Sequence, residues 1–167
     1  MKKIFLLLFM FSLLGCEKDD ICDANTPTTP RLIIEFYDFT TSTETLKSVT
    51  NLGVIDPNFT TGISFNGVNK IQVPLKTTED TTTLRFIQNG SDTDATNDNE
   101  DILQFNYSRN EVYVSRACGF KTLFTLNATN PIIQTEPAVA DGAWIKNISI
   151  VKANLENENE VHVKIFF

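Results

Sequence analysis

Three cysteines, one histidine and one dense run of acids are the residues of this chain whose types could do chemistry. The acids fall in Ser91–Asp101, where Asp92, Asp94, Asp98, Glu100 and Asp101 place five carboxylates within ten positions. Oxygen-rich loops of this kind bind calcium, but the EF-hand frame needs a bidentate carboxylate at its last position. A frame starting at Asp92 puts Leu103 there, and one starting at Asp94 puts Phe105 there. The run therefore reads as a solvated loop whose like charges repel, and no metal ligand is assigned. Ser149-Ile150-Val151-Lys152 carries the spacing of a serine nucleophile and its lysine, which works on a helix where both share one face. This segment has strand character, and in a strand positions three apart point to opposite faces. Gly-x-Ser-x-Gly, His-Glu-x-x-His and phosphate-cradling glycine loops are absent, and the single histidine, His162, stands in the last alternating run. No catalytic residue and no cofactor is expected.

The cysteines carry more. The chain starts MKKIFLLLFMFSLLGCEKDDIC, with Lys2 and Lys3 ahead of an 11-residue apolar run, Ile4 to Leu14. A membrane-spanning helix needs about 20 residues, so residues 1–15 read as a signal peptide. Its end, Leu13-Leu14-Gly15-Cys16, resembles a bacterial lipobox. The resemblance implies that Cys16 receives a diacylglyceryl thioether, becomes the mature N-terminus and is N-acylated. Several acyl chains give stable anchoring where one gives only marginal binding. Lys18, Asp19 and Asp20 follow, and a lysine with two acids directly after the lipid-bearing cysteine resembles the surface-export signal of Bacteroidota lipoproteins. The same residues also suit a solvated polar tether, because charged linkers self-repel and extend. The implied address is the outer membrane, lipid-anchored, at the cell surface or on the periplasmic face.

Removing residues 1–15 leaves 152 residues, the size of one ordinary domain. The expected organisation is a signal peptide (1–15), a lipidated tether (16–30) and a folded domain (31–167). The formal charge of the whole chain is -7, and losing Lys2 and Lys3 leaves 12 Lys and Arg against 21 Asp and Glu, or -9. Phosphate binding needs clustered Lys and Arg, so nucleic acid is excluded as a partner. Electrostatic docking on an acidic membrane is disfavoured for the same reason, which leaves the lipid as the expected attachment. With Cys16 committed to lipid, Cys22 and Cys118 remain, and an even pair in an oxidising compartment is most simply a disulfide. Closing that loop contributes about 4–5 kcal/mol in the chain-entropy model. It also leaves only residues 17–21 as free tether, spanning at most roughly 20 Å. Unpaired, the tether would run on through Pro27 and Pro30 along an extended path.

The remainder alternates with period two. Leu32–Tyr37 is a short buried-strand run. Extended segments follow at 46–54, 59–65 and 68–75, with Asn66-Gly67 suggesting a tight hairpin. Thr81–Gln88 alternates cleanly. Leu103, Phe105 and Tyr107 then alternate with Gln104, Asn106 and Ser108. Arg109-Asn110 reads as a two-residue turn into a return strand from Val112 towards Cys118. Phe120–Leu126, Trp144–Asn154 and Val161–Phe167 complete the pattern, with a loop over 131–142. No stretch keeps a helical period. The fold class is all-β: a two-sheet antiparallel β-sandwich, Ig-like or jelly-roll-like, of about nine or ten strands. With a hairpin turn at Arg109-Asn110, that turn would lie away from Cys118 and the Asn89–Asp101 loop beside it.

Tyr113-Val114-Ser115-Arg116-Ala117-Cys118-Gly119-Phe120-Lys121-Thr122 can be taken with Asp20-Ile21-Cys22, Thr26-Pro27-Thr28-Thr29-Pro30, Ile34-Glu35-Phe36-Tyr37-Asp38 and the final Ile165-Phe166-Phe167. Together they resemble an uncharacterised family of flavobacterial lipoproteins, a domain of unknown function. The resemblance implies a location and favours the Cys22–Cys118 pairing, but it supplies no activity. Asp80-Thr81-Thr82 resembles the acceptor for O-glycosylation in Bacteroidota, with Thr81 as the modified residue. Three readings of function follow: a binding or structural module contacting an extracellular ligand, an accessory subunit of an outer-membrane protein, and a small transmembrane β-barrel. The last rests on the alternation Val161, Val163, Ile165 and the final Phe167.

Overall fold

Side chains two apart in a strand share a face, and this alternation builds the core. The computed structural model describes residues 21–167. Its strands are β1 (Leu32–Tyr37), β2 (Leu52–Ile55), β3 (Ile63–Phe65), β4 (Lys70–Val73), β5 (Thr81–Gln88) and β6 (Asn99–Ser115). Then come β7 (Gly119–Leu126), β8 (Ile132–Thr135), β9 (Asn147–Ile150), β10 (Asn154–Leu155) and β11 (Val163–Phe166). The smaller sheet has the order β4-β1-β11-β9, and the larger the order β10-β7-β6-β5-β2-β3, with β8 also paired to β6. Leu32, Ile34, Phe36, Ile71, Val73, Val163 and Ile165 of the smaller sheet pack on Val54, Leu84, Phe86, Leu103, Phe105, Tyr107, Phe124 and Leu126 of the larger. With Leu52 beside Val54 in β2, every strand named there contributes residues two apart, as a two-layer sandwich requires.

Both sheets are open among the described residues, ending at β4 and β9 and at β10 and β3. A membrane-spanning barrel must close on itself, so the barrel reading is set aside. Pairing is antiparallel except between β1 and β11, which run parallel with Ile34 opposite Val163. The closing alternation of Val163 and Ile165 thus faces the sandwich core.

Three local expectations are corrected. Arg109 and Asn110 form no turn; they lie inside the 17-residue β6, paired with Phe124 and Leu123 of β7. The ladder with β7 outweighs the local turn tendency of asparagine, and Arg109 Nε donates to Asp80 Oδ1 at 2.7 Å. The chain reverses instead at Arg116–Cys118, where Gly119 has φ 70° and Cys118 N donates to Ser115 Oγ at 3.0 Å. Asn66-Gly67 makes no hairpin either. β3 pairs with β2 in one sheet and β4 with β1 in the other, so the chain changes layers there. The 131–142 loop contains β8, a short edge strand that takes up the free side of β6 at Ile102–Phe105.

β6 pairs with β5 over Asn99–Asn106 and with β7 over Tyr107–Ser115. Its second half and β7 therefore project as a two-stranded ribbon past the end of the sandwich. Tyr107 marks the exit: its hydroxyl donates to Lys76 O at 2.9 Å and lies 2.6 Å from Thr82 Oγ1. At the ribbon tip Cys118 is joined to Cys22, with Cα atoms 4.9 Å apart. Residues 22–30 run back along the ribbon, where Thr122 N donates to Thr29 Oγ1 at 2.9 Å. Arg31 then enters the sandwich through Glu158, with Nε donating to Oε1 at 2.7 Å.

The disulfide bridges a sequence separation of 96, so its loss should mostly release the unfolded chain. Cys118→Ser is expected to destabilise the fold by about 2–5 kcal/mol and to open residues 23–30 to proteolysis. Thermal melts and limited digestion of wild type and variant check both effects.

Candidate functional site

The direction of β6 fixes where the loops lie. Seventeen strand residues span about 50 Å, with Cys118 past one end and the Asn89–Asp98 loop before the other. The acidic loop expected beside Cys118 therefore lies at the opposite end, because without a reversal at Arg109 the chain keeps going. Two further segments gather with it. Phe39 N donates to Phe167 O at 3.1 Å, which places residues 38–46 there. Asn99 Nδ2 donates to Gly142 O at 2.7 Å, which brings in residues 136–146.

A groove of about 470 Å³ opens among them, lined by Lys47, Gln88, Asn99, Trp144, Lys146 and Phe167. Its walls are fixed by hydrogen bonds. Trp144 is buried, with Nε1 donating to Phe86 O at 3.0 Å. Its ring meets that of Phe167 edge-on at 5.4 Å. Lys47 Nζ sits 4.2 Å from the Phe167 ring centre and donates to Phe167 O at 2.8 Å. Beneath them lies Asp101, fully buried. Its carboxylate accepts from Ile145 N at 2.8 Å and from Gln134 Nε2 at 2.8 Å, and Gln134 Nε2 also donates to Ile145 O at 3.0 Å. This pins residues 144–145 to β6 and β8. The reading of Ser91–Asp101 as one solvated loop is corrected at its end, since Glu100 and Asp101 lie in β6 and Asp101 is fully buried, and one signal for this was present. It stands two before Leu103, in the same inward-facing alternation as Leu103, Phe105 and Tyr107. The convergence of Lys47, Asn99, Trp144 and Phe167 had no signal in sequence, since it joins segments far apart in the chain.

The acidic loop is held by short-range turns: Asp92 Oδ1 accepts from Asp94 N at 2.8 Å, and Asp94 Oδ1 from Thr96 N at 3.1 Å. Burial, then the charges of Asp92 and Asp94, push the Asp98 carboxyl above its usual range. The calcium frames end on Leu103 and Phe105, both fully buried. Among the described residues no three of His, Cys, Asp and Glu are placed to hold a metal ion.

On the outer face of the smaller sheet, Tyr37 donates to Glu35 Oε2 at 2.9 Å, and Lys70 pairs with Glu35 at 2.8 Å. Burial and the Glu35 carboxylate push the Tyr37 phenol up to about 12, so it stays a proton donor. Burial opposes ionisation of Glu35, but the hydrogen bonds from Lys70 and Tyr37 outweigh it and hold this carboxyl below its usual range. His162 is buried, and its Nδ1 accepts from Ile33 N at 3.0 Å. Burial, reinforced by Lys152, lowers its pKa. It is a strut between β1 and β11. Thr81 is exposed at the start of β5, while Thr82 is buried. Cys16, Lys18, Asp19 and Asp20 lie outside the described residues. What remains at the loop end is a polar, hydrogen-bonding surface with apolar residues, Phe39, Leu46 and Val139, exposed around it.

Residues 49–167 match the Family of unknown function DUF6452, and the chain belongs to that family. The match takes in β2 to β11 and Cys118, and begins after Cys22 and β1. No curated protein and no solved structure matches the chain.

Because Asp101 accepts the buried Ile145 N–H and one hydrogen bond from the Gln134 amide, Asp101→Ala leaves the N–H unpaired and the amide with Ile145 O alone. A loss of about 2–5 kcal/mol is expected, with the chain around Trp144 loosened first. Chemical denaturation and the accessibility of Trp144 to acrylamide quenching check it.

Proposed function

We propose that the protein is an outer-membrane lipoprotein, anchored through acyl chains on Cys16. Its β-sandwich is a binding module that holds the 38–46, 89–98 and 136–146 loops away from the bilayer. One observation carries this reading. Cys22, six residues after Cys16, is joined to Cys118 at the ribbon tip, and β6 then separates that tip from the loops by about 50 Å. Loops on a rigid scaffold are where binding concentrates. The protein acts by contact and not as an enzyme, with no cofactor. Its ligand is extracellular or is another outer-membrane protein. The exposed Phe39, Leu46 and Val139 at the loop end favour a protein surface, which gives the second reading: an accessory subunit of an outer-membrane complex. Thr81, exposed on the flank, is available for O-glycosylation.

Cys16→Ala is expected to abolish membrane fractionation, because the lipid is the anchor; persistence in salt-washed outer membranes would overturn the reading. Replacing Lys18, Asp19 and Asp20 with alanine is expected to keep the protein membrane-bound but remove it from the cell surface. Protease shaving of intact cells reads that difference, and unchanged shaving would count against an export role for these residues.

A further inference from the structure

The inner face of the larger sheet does not stop where the smaller sheet stops. In β6 the inward alternation Leu103, Phe105, Tyr107 passes through the charged, exposed Arg109 and Glu111 and becomes aromatic again at Tyr113, and in β7 the alternation Leu126, Phe124, Thr122 continues to Phe120. Tyr113 and Phe120 are register partners, and their rings meet edge-on with centres 5.4 Å apart. No strand of the smaller sheet covers them, so Tyr113 is 55% and Phe120 66% exposed. Beside Tyr113 opens a cleft of about 720 Å³ whose opposite bank carries Ile21, 79% exposed, and Asp23. Arg116 at the turn is exposed and forms no ion pair with any described residue, while Lys121, next to Phe120 in β7, points to the other face of the ribbon. An aromatic pair with an aliphatic side chain, and one cation that forms no ion pair among the described residues, occupies the ribbon tip of a chain whose net charge is -7.

We propose that this tip docks on the bilayer that carries the chain's own acyl anchor, with Tyr113, Phe120 and Ile21 seated at the headgroup level and Arg116 of the turn facing lipid phosphates. The inference rests on the Cys16 anchor. The length of the intervening chain selects the occupant: with Cys22 fixed to Cys118, six residue intervals let the tip lie no more than about 20 Å from the acylated cysteine. Amphipathic rings such as tyrosine favour the membrane–water interface. Docking there adds a second contact to the acyl chains and stands the sandwich on its ribbon, with the loop end outermost.

The test uses the full lipidated chain carrying Phe120→Trp, reconstituted in phosphatidylcholine vesicles with brominated or ordinary acyl chains. The native Trp144 is buried at the far end of the sandwich and serves as the unquenched reference in the wild-type protein. Flotation first reports the anchor. The expected result is co-flotation together with loss of most emission from the introduced indole in brominated vesicles, while wild-type emission is unchanged. Co-flotation with equal emission in both vesicle types would overturn the docking and leave the anchor standing. Failure to float would overturn the anchor and the docking with it. A second variant, Tyr113→Trp, repeats the reading from the other strand if Phe120→Trp fails to fold.

Discussion

The unbroken course of β6 is the constraint on which the rest depends. Its first half closes the larger sheet against β5 and β8, and its second half leaves the sandwich with β7 as its sole partner. One strand therefore belongs to two environments. Along its inner face buried side chains from Asp101 to Tyr107 give way to exposed ones at Arg109, Glu111 and Tyr113. Backbone hydrogen bonding continues across the change because a ladder needs no core to satisfy its N–H and C=O groups. A two-stranded ribbon is marginal by itself in water. Here it is braced by the 22–30 segment, by the Thr122–Thr29 hydrogen bond and by the Cys22–Cys118 disulfide.

The sandwich is otherwise knitted by contacts between distant parts of the chain. β1 lies between β4 and β11, and the parallel pairing with β11 joins residues about 130 positions apart. His162 reinforces this seam by accepting the Ile33 N–H, and Arg31 and Glu158 close it at the entry point of the chain. At the other end Asp101 and Trp144 play the equivalent part for the 136–146 segment. Buried polar groups with their hydrogen bonds made specify one arrangement of the segments they join. Both ends of the domain are defined in this way, one at the base of the ribbon and one beneath the loops.

Membership of a family of unknown function gives the chain relatives without giving it a reaction. The matched region, 49–167, contains the ribbon, the loop end and Asp101, but not Cys22 or β1. The two ends of the molecule differ: an exposed aromatic pair stands at the ribbon tip, and a loop-built groove opens at the other end. Function in such folds resides in sites placed on the scaffold and not in the scaffold itself.

Much of this was legible residue by residue. The strand at Leu32–Tyr37, the alternations at Leu84 and Phe86, at Leu103 to Tyr107 and at Val163 and Ile165, and the all-β sandwich follow from period-two patterning, because a half-buried strand must alternate. The pairing of Cys22 with Cys118 followed from cysteine arithmetic. What sequence could not decide was where a strand ends and which sheet it joins. Asn66-Gly67 and Arg109-Asn110 have turn chemistry of equal plausibility, yet one spans two layers and the other lies within a ladder. Turn propensity is a local term of a fraction of a kcal/mol to a few kcal/mol, and a ladder of hydrogen bonds with a partner strand overrides it. That override alone reversed the acidic loop from the disulfide end to the opposite one. Composition and periodicity determined the class of fold and its core; pairing partners, which only the folded chain brings together, decided which end is which.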